Sequence, residues 1–147
     1  VIEVNELQKR RVVGKLERHL GSLRGKKITL LGLAFKPGTD DMREAPSLVL
    51  ASRLKAEGAE VTAWDPVADG AAHLNGANLA SSPLDALEDA DAAVLVTEWP
   101  ELAELDWGEA GKRMRNRLLV DGRNMLDPEL LREHGFAYEG VGRPSKT

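Results

Sequence analysis

The sequence predicts an α/β domain built on a doubly wound parallel sheet in three layers, α/β/α. Three observations carry that prediction. Short apolar runs alternate with helix-period segments along the chain. The runs are apolar throughout rather than alternating, as in strands covered on both faces. Pro marks several helix starts and Gly several helix ends. Strands and helices that alternate on this spacing make parallel sheets. Six strands joined by right-handed crossovers fit the order 3-2-1-4-5-6.

Residues 2–20 read as a helix. Leu16, Leu20 and Leu23 fall at i, i+4 and i+7, with Val12 and Val13 a turn earlier, and Gly21 and Gly25 end it. Ile2, Val4 and Leu7 form a second, looser apolar set. The run Ile28 to Leu33 is the first strand, and a long loop follows. Pro46 to Glu57 is a helix with Gly58 just past its end. Glu60 to Trp64 is the second strand, stopped by Asp65-Pro66, and Ala77 to Leu79 is a short third. Ser82 caps the next helix with Asp85 three residues on. Ala92 to Thr97 is a buried strand, Asp106 to Met114 a helix, and Arg117 to Asp121 the fifth strand. Asp127-Pro128-Glu129 opens a helix that Gly135 closes, and Phe136 to Val141 is the last strand.

At 147 residues the chain is the size of one domain. Such a domain buries roughly 68–70% of its unfolded surface, enough for a core without staples. The absence of cysteine excludes a disulfide framework, a thiolate nucleophile and a Cys-based metal site. His19, His73 and His134 are scattered, which argues against zinc and makes them surface groups rather than catalytic bases. The longest apolar run, Ile28 to Phe35, is far short of the ~20 residues a membrane span needs. The opening residues are no signal peptide, and a first residue other than Met suggests a processed product or a piece of a longer protein. Residues 1–27 carry eight Lys/Arg against three Glu within a chain of net charge −4. This basic stretch reads as a solvated helix face rather than a nucleic-acid or membrane surface, since 4% aromatic residues leave little for base stacking.

Ligands of open α/β sheets bind beyond the carboxyl ends of the strands, at the switch point. Here that point lies between the first strand and strand 92–97. Three segments converge on it: Phe35 to Glu44, Thr97-Glu98-Trp99-Pro100 and Asp121-Gly122-Arg123-Asn124. Lys36, Arg43 and Arg123 thus crowd one rim of an otherwise acidic domain. They suit a nucleotide diphosphate, with Arg as a planar fork and Lys as a point charge; alternatively they pair with Asp40, Asp41, Glu98 and Asp121. The first loop is neither a dinucleotide fingerprint, because Gly32-x-Ala34 lacks the G-x-G-x-x-G spacing, nor a Walker loop, because no G-K-[ST] occurs. Asp65 reads as structural. Trp64, Trp99 and Trp107 read as packing residues, with Trp99 also a candidate wall of the site.

The run G-L-A-F-K-P-G-T-D-D-M-R-E-A-P-S at 32–47 resembles the signature of the C-terminal domain of the UDP-glucose/GDP-mannose dehydrogenase family. D-P at 65–66, T-E-W at 97–99 and D-G-R-N at 121–124 match in the same order, and N-E-L-Q-K-R-R resembles the end of the long central helix before that domain. The resemblance covers nearly all of the chain and points to the UDP-glucose 6-dehydrogenase branch. It implies a Rossmann-like domain at 25–147 that binds the UDP-sugar, preceded at 1–24 by the end of an inter-domain helix. Phe35, Lys36 and Arg123 are implied substrate contacts, and Arg43 the residue that reaches across to the cofactor NAD. The resemblance also implies that Asp40 and Asp41 shape the loop and orient Arg43.

The resemblance further implies a homodimer joined through the central helix, with no nucleic-acid or membrane partner. The enzyme would be cytoplasmic and serve nucleotide-sugar metabolism and polysaccharide biosynthesis. NAD would be bound mainly by an N-terminal domain outside this chain. In the family a Cys nucleophile carries substrate through a thiohemiacetal and a thioester, turning UDP-glucose into UDP-glucuronate. A chain with no Cys is therefore expected to bind and not to catalyse, with no catalytic residue and no metal of its own. It is also expected to fold alone and to self-associate weakly through Ile2, Val4 and Leu7. The alternatives are the same domain of a GDP-mannose or UDP-N-acetyl-sugar dehydrogenase, or a non-catalytic interaction module.

Overall fold

The computed structural model describes residues 12–32, 46–64, 78–96, 99–122 and 126–140. Among them, β1 (Lys27–Leu31), β2 (Glu60–Trp64), β3 (Asn78–Leu79), β4 (Ala92–Leu95), β5 (Leu118–Asp121) and β6 (Ala137–Gly140) form one sheet. Its order is β3-β2-β1-β4-β5-β6 and every pairing is parallel, as the alternation of strands and helices predicts. The helices are α1 (12–20), α2 (Pro46–Ala56), α3 (Pro83–Leu87), α4 (Pro100–Ala103), α5 (Trp107–Arg113) and α6 (Pro128–Glu133).

Both faces of the sheet are covered. The Thr29 hydroxyl donates to the Ala86 carbonyl at 2.6 Å, which seats α3 on the face that Thr29 occupies. The register carries that face across the sheet through Ala93, Leu119 and Tyr138. Side chains alternate along a strand, so Glu139 points to the opposite face. There Lys15 and His19 of α1 meet its carboxylate. Ile28, Leu30, Leu31, Leu95 and Leu118 of the strands are completely or almost completely buried. Leu54 of α2, Leu87 of α3 and Trp107 of α5 join them in the same cluster. Val12, Val13, Leu16 and Leu23 enter it from the N-terminal side. Burial of a leucine such as Leu16 contributes roughly 1.5–3 kcal/mol, so the described part of α1 is fastened to the sheet.

The helix starts are chemically specified. The side chains of Ser82, Asp106 and Asp127 accept from the amides of Asp85, Glu109 and Glu129 at 3.1, 3.1 and 3.0 Å. Such caps are each worth about 1 kcal/mol. At the amino-terminal edge, Asp91 ties β1 to β4. Its Oδ2 accepts from the Lys27 amide at 2.9 Å and from Arg115 at 3.2 Å.

The elements depart from the sequence reading at their ends and at one helix. β1 stops at Leu31 rather than Leu33, and β4 at Leu95 rather than Thr97, where the Val96 amide still reaches the Leu31 carbonyl at 2.9 Å. α4 has no counterpart in the sequence reading. It is a single turn started by Pro100, too short to show a 3.6-residue period. Ile2, Val4 and Leu7 lie outside the described residues.

Candidate functional site

β1 and β4 lie side by side at the centre of the sheet, with Leu31 level with Leu95 and Leu95 level with Asp121 of β5. The chain leaves β1 toward β2 and leaves β4 toward β5, so the switch point falls between β1 and β4. The backbone around it is closely fixed. Gly32 takes φ +97° and donates to the Trp64 carbonyl at 2.7 Å. The Gly122 amide donates to the Leu95 carbonyl at 3.0 Å. A Cβ at 122 would lie 2.8 Å from that same oxygen, so the turn that leaves β5 requires glycine.

Behind Gly122 the Asp121 side chain is fully buried. Its Oδ2 accepts from the Leu126 amide at 2.7 Å and from the Tyr138 hydroxyl at 2.8 Å. The Tyr138 oxygen also lies 3.3 Å from the Leu126 carbonyl. One carboxylate therefore joins the end of β5, the approach to α6 and the edge strand β6. The sequence reading named Asp121 only as one alternative counter-ion for the rim cations and did not single out Tyr138. The signal was faint: an acid closing an apolar strand, a glycine after it, and the chain's one tyrosine.

Phe35, Lys36, Arg43 and Arg123 all lie outside the described residues, as do Asp40, Asp41, Asp65, His73, Thr97, Glu98 and Asn124. The strands that precede the three expected rim segments are β1, β4 and β5, which are consecutive in the sheet. Trp64, Trp99 and Trp107 are buried in the core, and Trp107 donates to the Leu102 carbonyl at 3.0 Å. His19 is more than a solvated group, since its Nε2 lies 2.9 Å from Glu139.

A cavity of about 440 Å³ lies beside the starts of β1 and β2, away from the switch point. Lys27 and Arg115 line it, but Lys27 Nζ already donates to the Glu88 carbonyl and Arg115 to Asp91. The switch point is the better candidate, because the strand order reverses there, at the carboxyl ends of β1 and β4. Among the described residues no group of three His, Cys, Asp or Glu side chains could hold a metal ion. No helix there is long and apolar enough to cross a membrane.

A doubly wound parallel sheet whose strand order reverses between β1 and β4 is the architecture of nucleotide-binding α/β domains. Residues 29–128 match the UDP-glucose/GDP-mannose dehydrogenase family, UDP binding domain, and the chain belongs to that family. It is 49% identical over 132 residues to a UDP-glucose 6-dehydrogenase of Pseudomonas aeruginosa, covering 84% of this chain and 29% of that protein. It is 38% identical over 148 residues to one from Bacillus subtilis, covering 99% of this chain and 32% of that protein. Among solved structures, a UDP-glucose dehydrogenase of Pyrobaculum islandicum superimposes with a TM-score of 0.81 at 35% identity, over 97% of this chain and 31% of that one. The chain thus spans about a third of the length of these relatives.

Proposed function

We propose that this chain is the UDP-sugar-binding part of an NAD-dependent UDP-glucose 6-dehydrogenase, an enzyme that oxidises UDP-glucose to UDP-glucuronate in the cytoplasm. The observation that carries the proposal is the 49% identity to the Pseudomonas aeruginosa enzyme over 132 residues. In this reading residues 25–147 form the binding domain, and residues 1–24 end a central helix that joins two protomers. Phe35, Lys36 and Arg123 contact the UDP-sugar from the segments after β1 and β5. A diphosphate is strongly anionic, and Lys and Arg supply the charge-assisted hydrogen bonds that hold one.

The residues of this chain do not fit an NAD diphosphate loop. After β1, which ends at Leu31, the sequence Gly32-x-Ala34 lacks the G-x-G-x-x-G spacing of a dinucleotide loop. NAD therefore belongs to a part of the enzyme outside this chain, and Arg43 is the residue that reaches toward it. The chain also has no thiol to form a thioester, so by itself it binds without turning over.

Calorimetric titration of the chain with UDP and with GDP tests the proposal. Saturable binding of UDP, with GDP much weaker, is the expected result. Absence of UDP binding at millimolar concentration, or NADH formed from UDP-glucose and NAD by the pure chain, would overturn it.

A further inference from the structure

The cavity of about 440 Å³ beside the starts of β1 and β2 has the volume of a small-molecule site, for which roughly 300–1,000 Å³ is usual. The strand register builds its wall. Thr62 of β2 is level with Thr29 of β1, whose hydroxyl meets Ala86 of α3, so both side chains lie on the α3 face. Lys27 and Glu60 precede them by two residues and are level with each other. Lys27, Glu60 and Thr62 therefore share one face, and all three line the cavity together with Asp89 and Arg115. The backbone of the last two is fixed: the Asp89 amide donates to the Arg113 carbonyl and the Arg115 amide to the Ala90 carbonyl, each at 2.8 Å.

Thr62 is only 5% exposed, yet its hydroxyl has no hydrogen-bond partner among the described residues. A buried hydroxyl without a partner is costly, and native folds leave few of them. The residues around it carry uncompensated charge. Lys27 Nζ donates to a neutral group, the Glu88 carbonyl, and no described residue forms an ion pair with Lys27, Glu60 or Asp89. Arg115 is already matched by Asp91 at 3.2 Å. Exposed carboxylates are ordinarily solvated and would carry nothing alone; the buried hydroxyl in the same wall is what calls for a ligand.

We infer that this cavity is a second binding site, for a small zwitterion of the amino-acid class. The ligand's carboxylate meets Lys27, its ammonium group meets Glu60 and Asp89, and one of its polar atoms completes Thr62. A ligand of a single sign would leave either Lys27 or the two acids unmatched. The site lies at the other end of the strands from the switch point, so the inference does not depend on the UDP reading.

The probe is a panel of the twenty free L-amino acids, presented to the 147-residue chain and read by saturation-transfer NMR. Acetate and ethylamine serve as singly charged controls. The best binder is then titrated into the wild type, Thr62→Val and Glu60→Gln. At least one amino acid is expected to bind with a Kd of about 1 mM or below, and both controls at least about tenfold more weakly. Thr62→Val keeps the branched shape and removes only the hydroxyl. It should weaken binding about fivefold, the equivalent of one hydrogen bond, and Glu60→Gln about tenfold. Because the Thr62 hydroxyl has no partner to lose, Thr62→Val should leave the thermal midpoint of the empty chain unchanged or higher.

An amino-acid panel that shows no binding overturns the inference and marks a cavity filled by water alone. So does a control that binds as tightly as the best amino acid, or binding that Thr62→Val leaves unaltered. A lowered midpoint in Thr62→Val overturns it too, since the hydroxyl would then serve the fold. Displacement of the amino acid by UDP would place both at one site and equally overturn it.

Discussion

His19 Nε2 lies 2.9 Å from Oε2 of Glu139, and Lys15 Nζ lies 3.1 Å from the other carboxylate oxygen. Two residues one turn apart on α1 thus grip a single acid on the edge strand, and that acid is only 6% exposed. Burial works to raise the Glu139 pKa, but the hydrogen bonds from His19 and Lys15, with their charges, outweigh it and hold the carboxyl below its ordinary value.

A folded-state pKa below the unfolded one means that Glu139 stabilises the fold fully at higher pH. The contribution fades as pH falls below about 4.3, the ordinary glutamate value. Glu139→Gln is expected to cost about 1–3 kcal/mol at neutral pH, because it leaves Lys15 opposite a neutral group. Urea unfolding midpoints of the two proteins should draw together as pH falls below about 4.3. A gap that stays constant down to pH 3 would falsify the assignment.

Gly122→Ala and Gly14→Ala should have opposite effects. At 122 the new methyl meets a backbone oxygen that cannot move aside without disturbing β4, so a loss of about 1–3 kcal/mol is expected. At 14, on α1, a Cβ meets nothing within 4 Å, and the change should stabilise the chain by about 0.5–1 kcal/mol. Thermal melts of the two variants decide the point.

Lys36→Ala and Arg123→Ala should each weaken UDP binding about tenfold, which one lost charge-assisted hydrogen bond accounts for. Arg43→Ala should leave UDP affinity within about twofold, since the role proposed for it is toward NAD. Equal losses from all three, measured by titration, would instead describe a diffuse patch of positive charge.

The strand order was legible because it rests on periodicity and on topological rules that need no side-chain detail. β2 matches its expected bounds from Glu60 to Trp64, and Ser82 and Asp127 cap the helices whose starts they mark. The family motifs were legible too, being contiguous runs. What escaped were partnerships between residues distant in sequence. Tyr138 and Asp121 stand 17 positions apart, and His19 and Glu139 stand 120 apart. No local pattern marks either end of such a bond, and a lone histidine or tyrosine looks alike whether it faces solvent or a buried carboxylate.

The place of β1 at the centre of the sheet has a consequence for how the chain acquires its form. β1 comes first among the strands, yet its neighbour β4 begins far downstream, with Lys27 and Asp91 separated by 64 positions. Until that distant partner is in place, β1, whose Ile28, Leu30 and Leu31 are fully buried in the finished sheet, has one open side. Closing so long a loop is costly before any contact rewards it, and sheets of this kind condense slowly compared with helical bundles. During synthesis β1 leaves the ribosome well before the strand that shields it, so the half-sheet β1–β2–β3 is the species most exposed to wrong pairing.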